Sequence, residues 1–283
     1  MMIMNNILIG TSGYDYPEWK GVFYPQDLKR KDFLPYYATQ FNALEVNNTF
    51  YNMPTAERLL SFYERGGGNL QFSIKANRLL THEITRQWQN AAAEFISAIA
   101  PLAEKACLCA VLFQFPQSFH YTDENRIYLA KLIAEFQGLP VVIEFRHVEW
   151  IRESVIAGLE QRNASLCFCD MPKLKALPNM VVSTLRPGSG TAVSTTERTP
   201  FIGPTAYIRL HGRNADAWYS SANDASPNGS SRYTYDYSDS ELTEFVPVIK
   251  SAVLTGKKPV VFFNNHPNGS GARNAGKLKE LLQ

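Results

Sequence analysis

Strong charge of one sign is missing from this chain. Its 28 Lys and Arg nearly balance 26 Asp and Glu, giving a formal net charge of +2 over 283 residues. A protein that lives by gripping a phosphate backbone is ordinarily more basic, so nucleic acid is not the favoured partner. Long apolar runs are missing too. None approaches the length that spans a bilayer, and no membrane partner is expected. The opening MMIMNNILIG is apolar but lacks a basic flank and runs into strand-like sequence, so no signal peptide is read there and a soluble, cytoplasmic protein is expected. Cysteine is scarce: Cys107-x-Cys109 and Cys167-x-Cys169. Zinc knuckles favour C-x-x-C in turns, whereas both pairs lie in apolar runs, ACLCAVLF and SLCFCD. They read as buried free thiols, and no disulfide is expected. There is no H-x-H or H-E-x-x-H motif, no domain linker, no repeat and no long charge run.

What is present is a series of short, nearly continuous apolar runs. They are NILIGTS (6–12), NALEVNNTF (42–50), LQFSIKA (70–76), LCAVLFQF (108–115), PVVIEFR (140–146), SLCFCD (165–170), AYIRLHG (206–212) and KPVVFFNN (258–265). Continuous rather than alternating apolar character suits strands covered on both faces, hence a parallel sheet. Helical patterns fill most gaps: TAERLLSFYER, NAAAEFISAIAPLAEKA with Pro101 as a candidate kink, TDENRIYLAKLIAEF, EWIRESVIAGLEQR, SDSELTEFVPVIKSAVLTG ending at a capping Gly256, and GARNAGKLKELL. With 45% hydrophobic residues the chain can bury a sizeable core. Eight strands alternating with helices predict an α/β fold: one TIM-type (β/α)8 barrel over residues 1–283. A doubly wound open sheet is the rival. Residues 171–205, rich in Gly, Ser, Thr and Pro, read as a loop or short hairpin, and 213–237 as a second long loop.

A barrel's chemistry sits at the C-terminal ends of its strands. There the runs change character. The second offers Glu45, Asn47 and Thr49, the third Lys75, the fourth Gln114 and the fifth Glu144 and Arg146. The sixth ends in Asp170, the seventh in Arg209 and His211, and the eighth in Asn264 and Asn265. Unpaired buried charge is costly, so these groups are expected to be paired or partly wet, and to converge on one mouth. His82 follows the third strand near the same rim. The aromatic stretch GYDYPEWKGVFYP, with Tyr14 and Trp19, offers either a stacking platform or a loop folded down by its own rings. Gly269-Ser270-Gly271 before the last helix is a weak anion-binding signal. His147 lies on the face opposite Glu144 and Arg146 and reads as the start of a loop.

The blocks IGTSGYDYPEWKGVFYP, FNALEVNNTFYNMP, FSIKANRLLTHE, LFQFP, EFRHVEW, YIRLHGR and FFNNHPNGSGARNA resemble, in order and over nearly the whole chain, the YecE-like family, domain of unknown function 72. The resemblance implies a TIM-type barrel and no particular reaction. It extends the rim set to Tyr51 and Asn274, and departs at Tyr14, where the family usually carries Trp. The favoured expectation is an enzyme performing acid–base chemistry on a small anionic or polar molecule. Glu144 or Glu45 would be the general acid or base, His211 a proton shuttle, and Lys75 would join them while helping Arg146 and Arg209 hold an anion. Asn47, Tyr51, Gln114, Asn264, Asn265, Asn274, Tyr14, Trp19, His82 and Asp170 would complete a binding surface. A divalent metal on Glu45, Glu144, Asp170, His82 and His211, a nucleic-acid role by analogy with endonuclease-IV-like barrels, and a non-catalytic sugar- or metabolite-binding module are the weaker readings.

Overall fold

The structure is a computed structural model and describes residues 7–178, 201–219 and 231–283. Among the described residues, nine strands run in the order β1 (Leu8–Ser12), β2 (Ala43–Val46), β3 (Gln71–Lys75), β4 (Leu108–Gln114), β5 (Val141–Glu144), β6 (Ser165–Leu166), β7 (Phe168–Asp170), β8 (Thr205–Leu210) and β9 (Lys258–Phe263). Every pairing is parallel, and the sheet order is β6-β5-β4-β3-β2-β1-β9-β8-β7. Only Cys167 separates the two outermost strands. Ser165 and Leu166 pair with β5, and Phe168 to Asp170 pair with β8. The Cys167 N–H itself donates to Ile143 O at 2.8 Å. The two ends of the sheet are therefore halves of one stave, and eight staves close into a TIM-type barrel. An open sheet would have left two unpaired edges.

The apolar runs resolve into two faces. In β9, Val260 and Phe262 fill the barrel interior while Val261 and Phe263 meet the helices. In β8, Ala206, Ile208 and Leu210 face outward, leaving Tyr207 and Arg209 for the interior. All four cysteines are buried and free: Cys107 joins the outer core, whereas Cys109, Cys167 and Cys169 join the inner one. Gly10 in β1 is a packing necessity. A Cβ there would lie 1.9 Å from Ala43 O on the neighbouring stave, beside the Tyr37 hydroxyl.

The helices are α1 (Phe33–Gln40), α2 (Ala56–Arg65), α3 (Trp88–Glu104), α4 (Asp123–Glu135), α5 (Glu153–Gln161), α6 (Asp239–Leu254) and α7 (Ser270–Leu282). Five of the six read from sequence begin within two residues of expectation. The exception is α5, which starts four residues later than EWIRESV suggests because Val148–Trp150 first forms a 3-10 turn. Helix α3 runs through Pro101, and Gly256 follows α6 with φ 73°. Helix α1, FLPYYATQ, is absent from the sequence reading: Pro35 sits in its first turn and its apolar residues do not keep to one stripe. No helix among the described residues is long and apolar enough to cross a membrane. Of the two predicted loops, residues 179–200 and 220–230 lie outside the described residues.

Candidate functional site

The C-terminal ends of β2, β5 and β8 meet in a buried ion network. Arg209 stands at its centre. Its Nη2 donates to Glu45 Oε1 and its Nη1 to Glu144 Oε2, both at 2.6 Å. Glu45 also accepts from Ser12 Oγ at 2.5 Å and Tyr207 Oη at 2.7 Å, and Ser73 Oγ lies 2.6 Å from that Tyr207 hydroxyl. Glu144 Oε1 accepts from Arg146 Nε at 2.5 Å. Neither carboxylate is exposed at all. Burial opposes ionisation of Glu144, but Arg146 and Arg209, with the His211 contact, hold its carboxyl well below the usual carboxylate range. Two carboxylates thus face two guanidiniums, and the network is neutral by itself.

The sequence places Glu45, Asn47 and Thr49 on one strand face, but β2 ends at Val46, and Asn48–Phe50 forms a 3-10 turn. Thr49 Oγ1 donates to Lys75 O at 2.6 Å, and the turn ends with the Phe50 ring 4.4 Å beneath Lys75 Nζ. Arg146 likewise lies past the end of β5, yet folds back over Glu144.

Lys75 lies beside this network with no ion-pair partner within 4.0 Å among the described residues. Its Nζ donates to Gln114 Oε1 at 3.0 Å. Burial of the ammonium, reinforced by Arg209, brings its pKa down to about 7 against the opposing pull of Glu144 and Glu45. His82 packs edge-on against Phe50, and burial together with Lys75 and Arg146 lowers its pKa to about 4. His211 is fully buried, with Nε2 3.2 Å from Arg146 Nη2 and Nδ1 3.0 Å from the Asn264 amide. Burial and then Arg146 lower its pKa to about 3, so it is a neutral imidazole at pH 7. From the chain after β8, Trp218 covers the Arg146 guanidinium at 5.9 Å, and Tyr233 lies 5.9 Å from the His211 ring.

A cleft of about 500 Å³ adjoins this mouth over the ends of β1 and β2. Tyr14, Tyr16, Asn47, Asn48 and two arginines of α2, Arg58 and Arg65, line it, and it reaches Glu45. Asn47 Oδ1 is buried without a hydrogen-bond partner among the described residues. Arg58 and Arg65 were not singled out from sequence. Their seven-residue spacing puts them on one helix face, which is a readable signal, but it gains meaning only once α2 is known to border the mouth.

Other predicted residues fall elsewhere. Asp170 accepts from Arg213 Nε at 3.0 Å and Tyr237 Oη at 2.7 Å. Asn265 Nδ2 donates to Tyr235 O at 2.9 Å and to Asn274 Oδ1 at 2.8 Å, and Asn274 Nδ2 donates to Tyr237 O at 3.0 Å. These three fasten the chain after β8 to the barrel. Trp19 is fully buried, with Nε1 donating to His266 O at 2.8 Å. The aromatic stretch after β1 is thus folded down by its own rings; Gly13 to Tyr16 line the cleft, with the Asp15 carboxylate paired to Arg30 at 2.7 Å. Tyr51 is mostly exposed at the surface. The five-residue metal set considered from sequence does not assemble. Among the described residues, groups of three or more potential ligands are His120, His147 and Glu149, and Glu144, Cys167 and Cys169.

The family model described as Protein of unknown function DUF72 matches residues 8–283. This chain belongs to the DUF72 family. The UPF0759 protein YunF of Bacillus subtilis (strain 168) is 26% identical over 290 residues, covering 98% of this chain and 94% of YunF. The UPF0759 protein YecE of Escherichia coli (strain K12) is 24% identical over 172 residues, 58% of this chain and 59% of YecE. Among solved structures, a DUF72 family protein from Thermotoga maritima MSB8 superposes with a TM-score of 0.80 at 30% identity, covering 98% of both chains. Another from Enterococcus faecalis V583 gives 0.76 at 25% identity, over 98% of this chain and 95% of that one. The barrel is therefore a framework shared with other DUF72 proteins.

Proposed function

We propose that this DUF72 barrel is an enzyme performing acid–base chemistry on a small anionic molecule, with Lys75 as the group that moves the proton. The observation that carries this reading is Lys75 itself: a half-buried residue whose amine, withdrawn from water, has a pKa of about 7 beside a network already neutral without it. A general acid or base works best when its pKa lies near the working pH. Glu45 and Glu144 take positioning roles, because their lone pairs are engaged by arginine, serine and tyrosine and neither reaches solvent. They fix Arg209 and aim Arg146, whose guanidinium would meet the ligand's charge under Trp218. His211, neutral at working pH, supports Arg146. The adjoining cleft has the volume of a small-metabolite site, and Arg58 and Arg65 suit a second anionic group.

A thermal-shift screen of phosphate- and carboxylate-bearing metabolites tests this. A stabilising anion is expected, bound at least about tenfold more weakly by Arg146→Ala, about 1.4 kcal/mol. Lys75→Met is expected to bind that ligand and fail to turn it over. If neutral sugars alone stabilise the protein, or Arg146→Ala binds as well as the parent, the reading is wrong.

A further inference from the structure

The loops after β4 and β5 bring two imidazoles and a carboxylate together outside the mouth network. His120 Nδ1 lies 3.2 Å from Glu149 Oε2, and His147 Nδ1 lies 3.4 Å from the same oxygen. Potential ligand atoms of the three residues lie within 4.8 Å of one another. We propose that His120, His147 and Glu149 form a binding site for a zinc-like divalent transition-metal ion.

The spacing is the first argument. A charge-assisted N–H···O⁻ bond settles at about 2.7–2.9 Å, and both contacts are longer. Tetrahedral zinc, with bonds of about 2.0–2.1 Å to nitrogen and oxygen, sets its ligand atoms about 3.3–3.4 Å apart. The two contacts match that edge better than they match an ion pair.

Preorganisation is the second. Trp150 Nε1 donates to Phe119 O at 2.6 Å. Its ring stacks on Phe119 at 5.1 Å and on Phe145 at 4.6 Å. His120 follows one end of that clamp in the chain and Glu149 precedes the other, so the two loops are locked in register. The Tyr121 N–H donates to Glu149 Oε2 at 3.3 Å, orienting the carboxylate. The Glu149 N–H donates to His147 Nδ1, also at 3.3 Å. That nitrogen therefore already presents its lone pair, and a metal would displace only one long hydrogen bond. An ion's outer shell does similar work in established sites.

Donor chemistry and access are the third. Two imidazoles and one carboxylate suit zinc, cobalt or nickel, whereas calcium and magnesium take oxygen. The side chains of His120 and Glu149 are 55% and 41% exposed, leaving a fourth position for water.

Equilibrium dialysis of the full-length, tag-free, chelator-stripped chain against Zn(II), with Co(II) absorption as a second readout, tests the site. One ion per chain is expected, with the visible bands of tetrahedral Co(II) and no thiolate charge-transfer band. His120→Ala and Glu149→Gln are expected to weaken binding at least about 100-fold, more than an outer-shell change would, while leaving the metal-free melting temperature unchanged. No bound ion, equal binding by both variants, or a thiolate band pointing to Cys167 and Cys169 would each overturn the proposal.

Discussion

Arg209 shows how a single side chain can organise the interior of a barrel. It bridges two carboxylates that are otherwise far apart in the chain, and both are sealed from water. Arg209→Met leaves those carboxylates buried and short of a cation. The variant should lose about 3–5 kcal/mol in urea unfolding; a loss below about 1 kcal/mol would mean the network is not held by charge. Lys75 has the opposite sign. Its folded pKa of about 7 lies below the ordinary lysine value, so between these limits the unfolded chain binds more protons. Stability should therefore rise with pH from about 7 toward 10, with the full penalty present below pH 7. Lys75→Met removes the penalty and should be the more stable protein at pH 6, on the order of 2 kcal/mol allowing for partial solvation, with the gap closing toward pH 10. Melting curves of both chains across that range check the sign. Sequence located Glu45, Glu144 and Arg209 but not their roles. Arg209 and Glu45 stand 164 positions apart, and nothing local in either stretch says that one saturates the other.

At the scale of elements, the eight apolar runs were readable because each strand is covered on both sides, which leaves an uninterrupted signature. Their ends were less readable. A strand and a following 3-10 turn look alike when both are short, so Asn47 and Thr49 appear as strand residues in sequence and lie in a turn in the fold. Helix α1 was invisible for a different reason: proline in its first turn and an irregular apolar pattern remove both usual signals. The tightest constraint on any element is the β1–β2 contact. Gly10→Ala forces a methyl group onto the Ala43 carbonyl at 1.9 Å and disturbs Tyr37, which donates to Ala43 O and accepts from Thr11 N–H. Overpacking against backbone cannot be relieved by a rotamer change. We expect a loss above about 3 kcal/mol, read as a large fall in melting temperature. A change of a degree or less would show that the two staves can part there.

For the whole molecule, barrel closure at Cys167 is what makes the mouth. Without it, Glu144 on β5 and Arg209 on β8 would sit toward opposite edges of a sheet. With it, they share one ion network, and Lys75 on β3 faces a neutral cluster. Chain-wide alternation of strands and helices made the barrel legible, and the common polar finish of the staves marked the end where the ion network forms. What the sequence withheld is charge balance, a property of the closed ring and of no segment within it. The most direct test is the pH dependence of amine acylation at Lys75, followed site by site by mass spectrometry. Half-maximal reactivity is expected near pH 7, with protection by a bound anion and loss of that protection in Arg146→Ala. A Lys75 that reacts only near pH 10, like a surface lysine, would contradict that expectation.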